Sequence, residues 1–366
     1  MASHRTDKGF FFSVAALVLV GLTVFISASM GLWARVDIDA GNLVVKQIVV
    51  GVVGGLIALN IISRIPYKIW RIYSPLIFLA TACVTLLVFA PGLGFSHGGA
   101  TRWLSFGNFT FQPSEFLKVG FILYLAALLS KSRKHPLSFA DGAFPFLCLS
   151  AIVGAILIAQ PDIDTIAVLL FTGLSMLVAS GAKWRHIFLI VFVGLLGFTV
   201  LAYSKPYITE RLLIFVNSDR DSLGSGYQIQ QSLIAIGSGG LFGRGFGQSV
   251  QKFGSLPEPI GDSIFSVAAE EFGFLGSVGF IFLLVFFLSR GLFIARKAPD
   301  SFGRLTVVGI VILIVSQSFV NIGAMLGLLP LSGIPLLFVS QGGTSLLTTL
   351  AQIGIVFNIS RHSHYK

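Results

Sequence analysis

Charged side chains are scarce in this chain, since Asp, Glu, Lys and Arg make up only 11% of its 366 residues while hydrophobic residues make up 55%. That balance excludes an ordinary soluble globular protein, in which about a quarter of the residues are charged. It indicates an integral membrane protein, because each transmembrane helix needs about 20 mostly apolar residues. The chain then has no room for a separate soluble enzyme domain, and residues 1–366 are predicted to form one membrane domain.

Cysteine is also scarce. The only two cysteines, Cys83 and Cys148, lie in apolar runs, so neither a disulfide framework nor a cysteine metal site is expected. The histidines show no spacing typical of zinc ligands. The net charge of +10 is divided among short loops instead of forming one basic patch, which favours contacts with membrane lipids and argues against nucleic acid.

Long apolar runs predict an all-α polytopic membrane protein with about ten transmembrane helices. The runs cover residues 10–33, 42–63, 72–90, 114–131, 143–160, 164–181, 186–203, 263–289, 305–328 and 333–359. Lys and Arg are concentrated in alternate loops. Because cytoplasmic loops carry the excess of these residues, both termini are predicted to be cytoplasmic. The one long loop, about residues 204–262 between spans 7 and 8, is then extracytoplasmic.

Two segments on the predicted outer side have recognisable patterns. Residues 98–115 alternate between apolar and polar side chains and are interrupted at Gly107-Asn108, which predicts a β-hairpin or a re-entrant loop. In the long loop, the apolar stretch Ile229–Ile236 precedes a run of glycines, which predicts an interfacial helix followed by a tight loop. Gly243–Ser249 superficially resembles a dinucleotide fingerprint, but no strand precedes it, so a nucleotide site is not expected.

Asp262 lies where the long loop meets an apolar run. A charge at a membrane entrance is costly and therefore points to function. Asp262 could cap the following helix, since Asp is a favoured N-cap residue. It could instead take part in chemistry with the acidic and basic residues around it. At helical spacing Glu271 falls on roughly the opposite face and is predicted to be structural.

Two further polar pairs lie at the edges of spans. Glu115 and Lys118, three residues apart on one helical face, form either a structural ion pair or the lining of a cavity that holds a catalytic loop. Asp162 and Asp164 either serve a turn and a helix cap or supply oxygen ligands to a divalent cation. Both pairs of alternatives stay open from the residues alone.

Seven short blocks follow one another along the chain: Gly99–Trp103, Phe111–Lys118, Gln160–Thr165, Ala235–Leu241, Leu256–Asp262, Glu270–Gly273 and Gly327–Gly343. In content and order they resemble the shape, elongation, division and sporulation (SEDS) family. Any single block is weak, but seven in the same order over most of the chain form a specific pattern. One departure is Asp164, where the family usually has glycine.

This resemblance implies a ten-span peptidoglycan glycosyltransferase that polymerises lipid II into glycan strands at the outer face of the bacterial cytoplasmic membrane. It implies that Asp262 is essential, that a class B penicillin-binding protein is a partner, and that a divalent cation, Mg²⁺ or Mn²⁺, supports the activity. Elongation, division and sporulation members share the blocks, so the cellular role stays open, and we favour division.

The chemistry of glycan polymerisation suggests a role for each candidate. A sugar hydroxyl must attack the anomeric carbon of a lipid-linked sugar and expel a pyrophosphate, so we predict that Asp262 is the general base. A single base without a second carboxylate nucleophile favours inversion. Residues predicted to bind the substrate are Arg102, Lys252, Arg211, Arg244, Gln160, Asp162, Glu258 and Ser249. Those predicted to support the site are Glu115, Lys118, Trp103 and Glu271, and the predicted cation ligands are Asp162 and Asp164.

Two other classes of protein stay open. A lipid II flippase or transporter would use polar groups on both sides of the membrane, whereas those of this chain lie mostly at the predicted outer boundary. A scaffold that only recruits a class B penicillin-binding protein would need Asp262 merely as a helix cap.

Overall fold

The computed structural model describes residues 6–33, 40–97, 100–106, 109–131, 137–217, 221 and 224–362. These residues form a mostly helical protein. Its helices are α1 (Lys8–Trp33), α2 (Ala40–Lys46), α3 (Gly55–Ile62), α4 (Tyr67–Leu86), α5 (Pro113–Leu129), α6 (Phe144–Ala159), α7 (Ile163–Ala179), α8 (Trp184–Ser204), α9 (Pro206–Val216), α10 (Ser225–Ser238), α11 (Ile264–Arg296), α12 (Ser301–Met325) and α13 (Gly343–His362). A π-helical stretch, Gln47–Gly54, joins α2 to α3.

Eight helical stretches among the described residues are long and apolar enough to cross a membrane. They are α1, the stretch from α2 to α3, α4, α6, α8, α11, α12 and α13. Helices α5 and α7 occupy the fourth and sixth predicted spans and have 17 residues each, near the lower limit of about 17 for a span. The polytopic helical class is therefore confirmed, while the count of ten spans and the orientation stay predictions.

The centre of the bundle is formed by α12 and α13, which are buried over most of their length. Helix α12 packs against α5, α7 and α11. In contrast, α8 exposes apolar side chains such as Phe188, Phe192 and Leu195, as expected of a helix that faces lipid. The polar side chains described below are therefore carried by the inner helices and by the connections at one end of the bundle.

The predicted tenth span is wrong at its beginning, because α13 starts only at Gly343. Gly333 and Pro335 precede it, and proline disfavours a helix at and before its own position. The apolar residues Ile334–Val339 are nonetheless buried, so they fold into the protein as an irregular segment. This connection between α12 and α13 reaches the candidate site.

A small antiparallel sheet lies between α4 and α5 and adds strands to the predicted all-α fold. It consists of β1 (Gly94–His97), β2 (Ala100–Phe106) and β3 (Phe109–Phe111), in that order. Gly94 pairs with Leu104, and Leu104 pairs with Phe111. The predicted hairpin around Gly107-Asn108 is confirmed by the pairing of β2 with β3, although residues 107 and 108 lie outside the described residues.

Among its described residues, the long loop contains the α-helices α9 and α10. The predicted interfacial helix is α10, and the turns after it include left-handed glycines at 240, 243, 245 and 247. Helix α9 was not predicted, since its apolar residues are interrupted by Glu210 and Arg211. Residues 218–220, 222 and 223 of this loop lie outside the described residues.

Helix α11 is broken at Gly273, which adopts a left-handed φ of 69°. The glycine-rich turn after α10 completes the interrupted backbone hydrogen bonds at this break. Arg244 N and Gly245 N donate to the carbonyls of Glu270 and Glu271, at 3.0 and 2.9 Å. Phe274 N in turn donates to the Gly240 carbonyl at 2.9 Å. The turn therefore docks onto α11 through the main chain.

Candidate active site

Asp262 lies in the turn before α11 and does not cap that helix. The N-cap residue is Ser263, and the cap makes no side-chain hydrogen bond. Of the two interpretations of Asp262, the helix-capping one is therefore wrong. The Asp262 main chain is held from another helix, since the amide Nδ2 of Asn321 in α12 donates to the Asp262 carbonyl at 2.9 Å.

The carboxylate of Asp262 and the guanidinium of Arg102 meet beside Gly333. A methyl group on Gly333 would lie 3.8 Å from Asp262 Oδ2 and 3.9 Å from Arg102 Nη1. Asp262 comes from the turn before α11, Arg102 from β2 and Gly333 from the connection between α12 and α13. Three segments distant in sequence thus bring a carboxyl group and a guanidinium cation together.

The turn between α6 and α7 holds Arg102 in place. Arg102 Nε donates to the Gln160 carbonyl at 3.2 Å, and Nη2 donates to the Pro161 carbonyl. Arg102 Nη1 lies 3.7 Å from Asp162 Oδ1. The Gln160 side chain is buried and donates to the Thr85 carbonyl at 2.8 Å, which fixes the turn against α4.

Asp162 caps α7, as one of its two interpretations predicted. Its carboxylate accepts hydrogen bonds from Thr165 N at 3.4 Å and Thr165 Oγ1 at 2.9 Å. Burial raises the pKa of Asp162, against the opposing effect of the Arg102 guanidinium.

Asp164 joins three parts of the site. Its Oδ2 accepts from Arg211 Nη1 in α9 at 2.9 Å and from Gly333 N at 3.3 Å. The Arg211–Asp164 ion pair therefore brings the loop helix α9 close to Gly333 and Asp262.

Burial, followed by the negative charges of Glu258 and Asp164, raises the pKa of Asp262 from 3.8 to about 7. Arg211 and Arg102 act in the opposite direction. A carboxyl group with a pKa near neutral pH is well suited to accept a proton in a reaction at that pH. Glu258 has a left-handed φ of 46° four residues before Asp262, an uncommon conformation that is often found at functional sites.

Several predicted substrate-binding residues lie instead in a buried cluster around Glu270 and Glu271. Lys252 is fully buried, and its Nζ donates to Glu271 Oε1 at 2.7 Å and to Ser27 in α1 at 3.0 Å. The equally buried Ser249 donates to Glu270 Oε2 at 2.6 Å. Arg244 lies 3.4 Å from Glu270 Oε1. Buried in this arrangement, Lys252 and Ser249 hold the glycine-rich turn and are closed to a substrate.

The residues predicted to support the site lie in the helices and the sheet around it. Trp103 follows Arg102 in β2 and pairs with Phe95 of β1. Glu115 and Lys118 form a buried ion pair at 2.8 Å. Lys118 Nζ also donates to Gln317 of α12 at 2.8 Å.

Sequence reasoning missed several residues of the site. Gly333 separates the Asp262 and Arg102 side chains, and Tyr207 of α9 lies near Arg211 and Arg102, whose charges act on its phenol. Asn321 and Gln317 could have been noticed as polar residues inside an apolar run, since such residues are uncommon in spans. Gly333 belongs to the seventh sequence block but was not recognised as a site residue, and no local pattern marked Tyr207.

The arrangement of Asp162 and Asp164 does not fit a preformed cation site. Asp162 already accepts hydrogen bonds from Thr165 and lies near Arg102. Asp164 already accepts from Arg211 and Gly333 N. In the part of the chain that the structure describes, no group of three or more His, Cys, Asp or Glu side chains could hold a metal ion. Divalent cations prefer several oxygen ligands at once.

The fold and site together define a polytopic helical membrane protein with a partly buried acid and two arginines at one end of the bundle. The model of the cell cycle protein family FtsW/RodA/SpoVE matches residues 8–365. The chain is 39% identical to stage V sporulation protein E of Bacillus subtilis (strain 168) over 367 residues, covering 100% of both chains. It is 36% identical to the probable peptidoglycan glycosyltransferase FtsW of Geobacter sp. (strain M18), covering 94% of each.

Solved structures give the same result. One similar chain belongs to a peptidoglycan synthase complex that coordinates polymerization and crosslinking, with a TM-score of 0.80, 28% identity and 98% of both chains covered. The rod shape determining protein RodA of Thermus thermophilus has a TM-score of 0.72 and 28% identity, with 99% of both chains covered. The chain therefore belongs to the FtsW/RodA/SpoVE family. This confirms the family resemblance that the seven sequence blocks indicate.

Proposed function

We propose that this membrane protein is a peptidoglycan glycosyltransferase that polymerises lipid II. The active site would face outward from the bacterial cytoplasmic membrane. The observation that carries the proposal is that the Asp262 carboxylate and the Arg102 guanidinium come together beside Gly333. The relatives described as probable peptidoglycan glycosyltransferases support the same activity.

In the proposed reaction, a hydroxyl of one lipid-linked sugar attacks the anomeric carbon of another. A new glycosidic bond forms, the bond to the pyrophosphate breaks, and the hydroxyl proton passes to Asp262. Arg102 and Arg211 stabilise the charge that develops on the leaving pyrophosphate, because fixed cations act best where charge accumulates. With Asp262 as the base, the displacement inverts the anomeric centre.

Polymerisation of purified lipid II tests this function directly. The wild-type protein should form glycan strands, whereas Asp262→Ala should not while remaining folded. Asp300→Asn is a matched control, since Asp300 caps α12 through Gly303 N at 2.7 Å in another part of the chain. An Asp262→Ala protein as active as the wild type would exclude Asp262 as the base.

Two other functions predict different results. A flippase would move lipid II across liposome membranes without forming glycan strands, and a scaffold would do neither. Asp262→Asn also separates scaffold from enzyme, because a scaffold would keep its function with asparagine.

A divalent cation and a class B penicillin-binding protein stay part of the proposal. The relative solved in a peptidoglycan synthase complex supports such a partner. We expect chelation to stop polymerisation, Mg²⁺ or Mn²⁺ to restore it, and the partner to increase it.

The outward orientation can be tested by labelling. Glu210 is exposed in α9, so Glu210→Cys in a chain without Cys83 and Cys148 should react with a membrane-impermeant thiol reagent in intact cells. Labelling only after the cells are opened would reverse the proposed orientation.

A further inference from the structure

Asn321, near the C-terminal end of α12, is hydrogen-bonded to two separate segments of the site. It is fully buried, and its Nδ2 donates to the Asp262 carbonyl and to the Ile334 carbonyl, both at 2.9 Å. One side-chain amide therefore uses both of its N–H groups on main-chain atoms beside the site. Its Oδ1 atom is buried without a hydrogen-bond partner among the described residues, so the two donors account for the polar contacts of this side chain.

Gln317 lies one turn earlier on the same face of α12, because residues four apart on a helix are neighbours. Its Nε2 donates to the Pro335 carbonyl at 3.2 Å, and its Oε1 accepts from Lys118 Nζ at 2.8 Å. Lys118 is in turn paired with Glu115. A continuous series of hydrogen bonds thus runs from the buried ion pair of α5 through Gln317 to the Pro335 carbonyl, and Asn321 on the same helix binds the neighbouring Ile334 carbonyl.

Residues 334 and 335 follow directly on Gly333, which lies between the Asp262 carboxylate and the Arg102 guanidinium. A shift of this segment would change the separation of Gly333 from the Asp262 and Arg102 side chains. Asn321 would then no longer hold the Asp262 main chain at a fixed distance from this segment. Displacing a reacting group by about 1 Å can lower a rate about 100-fold.

We propose that Asn321 is a positioning residue that holds Asp262 and the segment after Gly333 at the separation that glycosyl transfer requires. This inference rests on the proposed function. Asn321 acts through main-chain atoms and does not touch the substrate. The Glu115–Lys118 pair, through Gln317, braces the same segment.

The test compares Asn321→Ala, Asn321→Asp and the control Ser318→Ala in lipid II polymerisation. Aspartate keeps the size of the side chain but lacks the two amide donors. Ser318 is equally buried on α12 but donates only to the Ile314 carbonyl of its own helix, at 2.8 Å. We expect both Asn321 variants to lower kcat about 100-fold with KM little changed, and Ser318→Ala to match the wild type.

Thermal unfolding of the same proteins separates positioning from folding. A folded Asn321→Ala protein with wild-type kcat would overturn the proposal. So would Asn321 variants that lose the unfolding transition, because Asn321 would then serve folding. If the wild type forms no glycan while correctly folded, the proposed function fails instead, independently of Asn321.

Discussion

Asparagine in place of Asp262 keeps the size of the side chain and removes its negative charge. We expect Asp262→Asn to lose polymerisation, because a positioned general base contributes about 10²- to 10⁴-fold to the rate. We also expect the variant to be more stable than the wild type at neutral and alkaline pH, since the wild type must ionise a carboxyl group that is largely buried beside Glu258 and Asp164.

The pH dependence of that stability follows from the pKa of Asp262. In the folded protein the pKa is raised to about 7, whereas the ordinary value is 3.8. Below the ordinary value both states hold the proton, and the variant has no advantage. As the pH rises from about 4 to about 7 the unfolded chain releases its proton first, so wild-type stability falls and then levels off. The full difference is about 4 kcal/mol in favour of Asp262→Asn above pH 7.

Lipid II polymerisation and thermal unfolding at pH 5, 6, 7 and 8 measure both effects. Asp300→Asn is the matched control and should keep its activity, with almost unchanged stability because asparagine also caps helices well. An active Asp262→Asn protein would refute the general base. A variant no more stable than the wild type at pH 8 would refute the argument that the buried charge is costly.

Other variants test separate parts of the structure. The rate of polymerisation by the wild type should rise as the pH increases through about 7. Glu258→Gln should move that rise to lower pH, because removal of the neighbouring negative charge lowers the pKa of Asp262. An unchanged pH profile would contradict this electrostatic coupling. Lys118→Met should reduce stability by about 3–5 kcal/mol by leaving Glu115 buried and unpaired, and the double variant with Glu115→Gln should recover much of the loss in thermal unfolding. Gly273→Ala should lower the unfolding temperature, because the new methyl group would lie 2.3 Å from Gly243 N. Gly279→Ala is the control, since nothing lies within 4 Å of a methyl group at Gly279. Equal effects of the two substitutions would argue against the docked turn.

Features with a repeating pattern could be predicted from the sequence. Apolar runs located the helices because lipid requires about 20 consecutive apolar residues. Alternation around Gly107-Asn108 located the hairpin. The tenth span began at the wrong residue because Ile334–Val339 is apolar for a different reason: this segment is buried inside the protein without forming a helix.

The site was only partly predictable, because spacing along the chain does not show which segments meet. Asp262, Arg102, Arg211 and Asp164 were among the candidates and come together in the structure. Lys252 and Ser249 looked equally suitable as substrate-binding residues, yet they donate hydrogen bonds to the carboxylates of Glu271 and Glu270. Gly333 has no side chain that would suggest a role in the site. Only the packing of the connection after α12 shows that it lies beside Asp262 and Arg102.

The break in α11 bears on the depth at which the chemistry takes place. The 23 residues of α11 that follow Gly273 extend for about 34 Å, enough to cross a hydrocarbon layer of about 30 Å by themselves. Residues 264–273 are almost all buried in protein, whereas the next three are exposed. Asp262 precedes this stretch and lies outside the hydrocarbon layer, which under the proposed function is where a lipid-linked pyrophosphate presents its sugars while the hydrocarbon tail stays in the bilayer.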